Sequence, residues 1–145
     1  MPMVRDVLAV KGENVHSVTP QTTVLEAIHQ MNQHKIGAVL VMLNKQCVGI
    51  FTERDVLRRV IGEEKNPANV RVAEVMTEDL ICVGPETDLD DVAAIMKQKK
   101  IRHIPVCTED GKLHGMISIG DLNAYHASNQ EQHIHYLQEY IYGRV

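Results

Sequence analysis

One stretch of this chain is written twice. Gly49-Ile50-Phe51-Thr52-Glu53-Arg54-Asp55 and Gly115-Met116-Ile117-Ser118-Ile119-Gly120-Asp121 share a glycine, two apolar residues, a hydroxyl and, three places on, an aspartate. Each closes a longer segment that also repeats. An internal repeat constrains architecture before any helix or strand is assigned, because each copy is one supersecondary unit that leans on its twin. Two like units facing each other also enclose two like clefts.

Upstream, Val24, Ala27, Ile28 and Met31 align with Leu89, Val92, Ala93 and Met96. Both sets fall at i, i+3, i+4 and i+7, the apolar face of an amphipathic helix. Thr23 with Glu26, and Asp88 with Asp91, have the spacing of N-cap and N3 pairs. Two apolar runs follow each helix. Ala38-Val39-Leu40-Val41-Met42 and Val48-Gly49-Ile50-Phe51 flank Asn44-Lys45-Gln46, while Ile104-Pro105-Val106-Cys107 and Leu113-His114-Gly115-Met116-Ile117 flank Glu109-Asp110-Gly111-Lys112. Asp-Gly between short β-rich runs is a hairpin signal. Strands near residues 15–18 and 80–83 are expected to open the copies, and short helices over 53–60 and 119–126 to close them. The predicted class is α/β (α+β), with two tandem β-α-β-β-α units. Residues 1–62 hold the first repeat and its lead-in, 63–71 an exposed linker, 72–127 the second repeat, and 128–145 a C-terminal helical extension. That extension carries Ile134, Leu137, Tyr140 and Ile141, a stripe for core packing or a dimer contact.

With 145 residues, 44% of them hydrophobic, the chain can build a core. No Trp, one Phe and four Tyr make that core aliphatic. Net charge is −4 with the signs interspersed, and no basic tract marks a DNA or RNA surface. No apolar stretch approaches the ~20 residues of a membrane span, and Met1 to Val10 lacks the pattern of a signal peptide. The expectation is a cytoplasmic protein with no membrane partner. Cys47, Cys82 and Cys107 lie in apolar runs without a C-x-x-C pair, and read as three buried, reduced thiols. His133 and His135 on one helix point roughly 200° apart and do not chelate; no metal site is expected. No nucleophile–base spacing, phosphate-binding loop or dinucleotide fingerprint indicates an enzyme.

From about Val4 to Tyr125 the chain resembles a tandem pair of CBS domains, a Bateman module. The resemblance rests on the β-α-β-β-α repeat and on the paired lead-ins Val4-Arg5-Asp6-Val7-Leu8 and Val72-Ala73-Glu74-Val75-Met76. It rests also on Val18-Thr19-Pro20 with Val83-Gly84-Pro85, on Lys100-Ile101-Arg102-His103-Ile104-Pro105-Val106, and on both glycine-to-aspartate endings. It implies two repeats packed with pseudo-twofold symmetry, adenosine-containing ligands (AMP, ADP, ATP, NAD or S-adenosylmethionine) between them, and a homodimer acting on a regulated protein partner. No catalytic cofactor is implied.

An adenosine ligand needs an apolar slot, an acceptor for two ribose hydroxyls and donors for phosphate. Asp55 and Asp121 suit the ribose, since a carboxylate accepts from both hydroxyls. Thr52 and Ser118, with the first-turn amides of the helices, suit phosphate. Arg54 in the first copy, and Arg102 and His103 in the second, supply phosphate cations. The resemblance places the base near Ser17, Val18, Ile36, Gly37 and Ala38 in one site, and near Cys82, Val83, Ile101, Ile104 and Pro105 in the other. Thr52–Asp55 and Ser118–Asp121 are equally capping boxes. Capping and ribose binding both stay open on the residues alone, as does a scaffold acting only through protein contacts. Because their cations differ, the two sites are expected to differ in affinity or ligand.

Overall fold

The computed structural model of the protein describes residues 2–127. The expected C-terminal helix, with Ile134, Leu137, Ile141 and the two histidines, lies outside the described residues. The elements run α1 (Val4–Lys11), β1 (Ser17–Val18), α2 (Val24–His34), β2 (Ala38–Leu43), β3 (Gln46–Thr52) and α3 (Glu53–Asp55), which continues as a π-helix over Val56–Ile61. A 3₁₀ turn at Pro67–Asn69 leads to α4 (Val72–Val75), α5 (Leu89–Lys99), β4 (His103–Cys107), β5 (Leu113–Ser118) and α6 (Ile119–Ala127).

The expected period appears in both long helices. Val24, Ala27 and Met31 of α2 are buried, and so are Leu89, Val92 and Met96 of α5. Both helices stop at a lysine in the left-handed region, Lys35 (φ 55°) and Lys100 (φ 56°). The next amides, Ile36 and Ile101, then reach back to the carbonyls of Met31 and Met96, which satisfies helix-end acceptors. Thr23 caps α2 as expected, its hydroxyl accepting from Glu26 N–H at 3.1 Å. Asp88 does not cap α5 with its side chain. Its backbone instead forms an antiparallel bridge with Met3, and Leu89 N–H donates to Pro2 O.

Strand β2 lies between two apolar layers. Val39 and Val41 face a core formed with α2, Phe51 and Val60, while Ala38 and Leu40 join Ile50, Leu80, Leu113 and Met116 in a cluster drawn from both halves. Alternate side chains of a strand point to opposite faces, so a strand buried on both reads as the unbroken apolar run seen here. The second half has its own core of Leu89, Val92, Ile104, Val106, Ile117 and Leu122.

Each core is completed by the segment preceding the other repeat. Val4, Val7 and Leu8 of α1 are buried in the second core, and Val72 and Val75 of α4 in the first. The backbone bonds correspond pairwise: Val4 N–H to Thr87 O and Arg5 N–H to Pro85 O on one side, Val72 N–H to Thr22 O and Ala73 N–H to Pro20 O on the other.

The halves differ at their opening strand. β1 pairs in parallel with β2, Ser17 opposite Leu40 and Val18 opposite Val41. The strand expected at 80–83 reduces to one bridge, Val83 to Val106. The cause is Pro105. Leu40 N–H donates to His16 O in the first half, and Pro105, at the matching place, has no N–H to donate. The linker is exposed up to Asn69 apart from the half-buried Pro67, but Val70 is buried and its carbonyl accepts from Val24 N–H.

Candidate functional site

The two glycine-to-aspartate endings fold into strand-to-helix junctions. At the first, Asp55 N–H donates to Thr52 Oγ1 at 3.3 Å while Thr52 N–H donates to Asp55 Oδ2 at 3.0 Å. At the second, Asp121 N–H donates to Ser118 Oγ at 3.1 Å and Ser118 N–H to Asp121 Oδ2 at 2.8 Å. Both are closed capping boxes. The first amide of each helix is also in use, Glu53 N–H on Gly37 O and Ile119 N–H on Arg102 O. These pairs tie each helix start to the beginning of a strand.

Asp55 is 6% exposed, the one buried charged side chain among the described residues. Besides Thr52, Thr77 Oγ1 donates to its Oδ1 at 3.2 Å, and Arg59 Nε lies 3.7 Å from the same oxygen. A buried carboxylate persists only with such partners. Asp121 is less buried and has a different neighbour, Lys11 Nζ at 2.6 Å from Oδ2.

Asp55 opens onto a cleft of about 370 Å³ between the halves. Thr52, Glu53, Arg54, Arg58 and Arg59 line it from the first half and Ile101, Arg102 and His103 from the second, with Gly37, Ile50 and Thr77 completing the lining. Arg54 reaches across it, Nη1 donating to Lys100 O at 2.5 Å, the carbonyl at the end of α5. Arg59 holds the carbonyls of Val75 and Met76 at 3.3 and 2.9 Å. Burial holds the His103 imidazole below the ordinary histidine pKa; Glu53 and Asp121 oppose this, and Lys11 and Arg102 reinforce it. His103 is therefore mainly neutral at pH 7, and positive charge in the cleft comes from the arginines.

The cleft regroups the sequence-predicted residues. Thr52, Arg54 and Asp55 stand opposite Ile101, Arg102 and His103, which had been assigned to the other site. Ile36 lines a neighbouring pocket of about 520 Å³ that shares Gly37 and Glu53 with the cleft. Cys82 and Val83 line a separate groove of about 900 Å³. Val18, Ala38, Ile104 and Pro105 are buried and Ser17 lies exposed on β1, and none of these five lines the three cavities. Ser118 and Asp121 meet at the second junction beside Lys11.

Sequence reasoning missed Glu53, Arg58, Arg59, Thr77 and Lys11. Arg58 and Arg59, three and four places past Asp55, were legible as helix neighbours of the carboxylate. Thr77 and Lys11 arrive through the exchanged lead-ins, which the alignment of the copies does not reveal. The thiols also differ from expectation: Cys82 is exposed, and Cys47 and Cys107 are only partly buried. Pro105 leaves the strand around Cys82 held by a single bridge, and so open to solvent.

The profile of the CBS domain matches residues 4–62 and 72–127. The mitochondrial CBS domain-containing protein CBSX3 of Arabidopsis thaliana is 34% identical over 149 residues, covering 97% of this chain and 72% of that protein. A solved protein with CBS domains from Burkholderia ambifaria superposes with a TM-score of 0.85 at 36% identity, over 89% of this chain and 96% of that one. The CBS domain pair of protein MJ0100, solved with 5′-methylthioadenosine and S-adenosyl-L-methionine, shares the fold at a TM-score of 0.75 and 21% identity, over 86% and 95% of the two chains. With both of its repeats matched, the chain belongs to the CBS-domain family, as a tandem pair of CBS domains.

Proposed function

We propose that this pair is a regulatory sensor of phosphorylated adenosine ligands, bound in the cleft between its repeats. The carrying observation is the convergence of Arg54, Arg58, Arg59 and Arg102 on a cleft that also holds the Asp55 carboxylate. A volume of about 370 Å³ lies within the range of small-ligand sites, about 300–1,000 Å³. Guanidinium groups fork onto phosphate oxygens, and the carboxylate is the acceptor for ribose hydroxyls. MJ0100 was solved with two adenosine derivatives, which supports an adenosine class here. Four arginines against Glu53 and Asp55 favour anionic AMP, ADP, ATP or NAD over the cationic sulfonium of S-adenosylmethionine. Self-association is part of the proposal: Leu57 and Ile61 leave apolar side chains exposed along the π-helix.

One observation favours a second reading, a ligand-free scaffold. The Asp55 carboxylate is already met by Thr52, Thr77 and Arg59, so a ribose must displace partners rather than find an idle acceptor. Titration calorimetry on nucleotide-stripped protein against AMP, ATP, NAD and S-adenosylmethionine separates the two. Saturable heat with a phosphorylated ligand, lost in Asp55→Ala and weakened at least tenfold in Arg102→Gln, is expected. Silence with all four ligands from folded, empty protein selects the scaffold.

A further inference from the structure

Two thiols that look unrelated in sequence, 25 positions apart, meet in the fold. Cys107 Sγ lies 3.7 Å from Cys82 Sγ, with the Cys107 thiol as donor. The backbone holds them there: Val83, beside Cys82, bridges Val106, beside Cys107, through Val83 N–H to Pro105 O at 3.1 Å and Cys107 N–H to Val83 O at 2.9 Å. We propose that Cys82 and Cys107 form a redox-active dithiol, which small disulfides oxidise to an intramolecular disulfide. A bonded sulfur pair stands about 2.05 Å apart, so oxidation draws the two sulfurs together by about 1.7 Å.

The two thiols have unequal roles. Cys82 is exposed and Cys107 partly buried. Burial first, then the hydrogen bond to Cys82 and its proximity, push the Cys107 thiol up to about 12. Cys82 is the sulfur open to an incoming disulfide, and the Cys107 thiol is turned toward it as donor, which makes Cys82 the attacking nucleophile and Cys107 the resolving thiol. In the first step Cys82 thiolate attacks one sulfur of a disulfide RSSR, forming a Cys82–S–S–R bond and releasing RS⁻, which takes up the proton Cys82 has given to solvent. In the second, the Cys107 sulfur attacks the Cys82 sulfur and expels the other RS⁻, which receives the Cys107 proton. Two protein thiols are oxidised by two electrons and RSSR is reduced to two RSH.

The groove around the pair selects the oxidant. The groove, about 900 Å³, is lined by Glu86, Glu109 and Asp110; Arg5 lies 3.9 Å from Glu86, and the remaining negative charge draws in a cationic disulfide and repels an anionic one. Cys47 is near enough to interact electrostatically with both thiols, but its own hydrogen bond points elsewhere. Its thiol donates to Gly49 O at 3.5 Å, and burial chiefly raises its pKa.

The test treats the full chain, reduced and freed of reductant, with cystamine or with oxidised glutathione at equal concentration. Intact mass should show loss of two hydrogen atoms, thiol titration should fall from three to one, and peptide mapping should join Cys82 to Cys107. Cystamine should act at least threefold faster than glutathione at low salt. Cys107→Ser should instead stop at a stable cysteamine adduct on Cys82. Cys82→Ser should acquire no adduct on Cys107 over the same interval, and Cys47→Ser should behave as wild type. Persistence of three free thiols in the wild-type chain overturns the proposal, as does a stable mixed disulfide or a bond involving Cys47. The wild-type outcome decides even if a variant misfolds.

Discussion

Lys11 and Asp121 stand 110 positions apart, and the Lys11 ammonium lies 2.6 Å from both Asp121 Oδ2 and the Met116 carbonyl. The contact ties the end of α1 to the second capping box. Both side chains are partly exposed, so the pair contributes about 0.5–1 kcal/mol. Lys11→Met is expected to lower the unfolding free energy by that amount in urea titration. On the sequence expectation that Asp121 accepts a second ribose, the change also frees its carboxylate, and calorimetry should show tighter binding of a second ligand equivalent. Weaker binding of that equivalent counts against Asp121 as ribose acceptor.

Asp55 and Asp121 close the same box in different surroundings, and their removal should differ accordingly. Asp55→Ala strips partners from Thr52, Thr77 and Arg59 at a buried position and should cost about 2–4 kcal/mol. Asp121→Ala loses a more exposed cap and should cost about 1 kcal/mol. Equal losses in denaturant titrations would contradict the difference in burial.

Glycine-to-alanine changes should have opposite signs at two sites. A Cβ on Gly49 would sit 2.6 Å from Met76 Sδ and 3.1 Å from the Thr77 carbonyl, so Gly49→Ala should destabilise by about 1–3 kcal/mol. Gly120 lies in α6, and the nearest atom to its Cβ would be Ser118 Oγ at 3.6 Å. Gly120→Ala should stabilise by about 0.5 kcal/mol through helix propensity. Thermal melts of the two variants, run side by side, check the pair.

Stability should fall on mild acidification. His16 is exposed but stacked on His34 with ring centroids 3.9 Å apart; partial desolvation first, and His34 next, hold its pKa below the ordinary value of 6.5. His103 is lowered mainly by burial. A histidine whose folded pKa is depressed binds protons more readily when unfolded. Its stabilising effect is therefore complete above about pH 6.5 and lost as pH falls from there through the folded pKa. The melting temperature should drop between about pH 7.5 and about pH 5, and the His16→Asn, His103→Asn double variant should show a flatter profile. A flat wild-type profile would rule out both histidines as the source.

Much of the architecture was legible because local patterns carried it. The apolar stripes of α2 and α5 follow from periodicity within a few residues, the Thr52 and Ser118 junctions from capping-box spacing, and β2 as a strand from its apolar run. What was not legible depended on distant neighbours. The loss of the strand near Cys82 follows from one missing N–H on Pro105, and the failed cap at Asp88 from Pro2 and Met3 arriving instead. Asp55 was identifiable from its motif, whereas its partner Thr77 depended on a segment that aligns with α1 yet packs on the other half. Cys82 and Cys107 each read as core, since nothing in either run shows the groove they share.

The exchange of lead-ins sets the unit that repeats in sequence out of phase with the unit that packs. A cut in the linker would leave neither fragment with a whole core, because the first half would lose Val72 and Val75, and the second Val4, Val7 and Leu8. Such fragments should recover structure only when mixed. A circular permutant opened just after Gly12 would instead carry each core on one uninterrupted stretch of chain, making two folding modules out of what the native order interlocks.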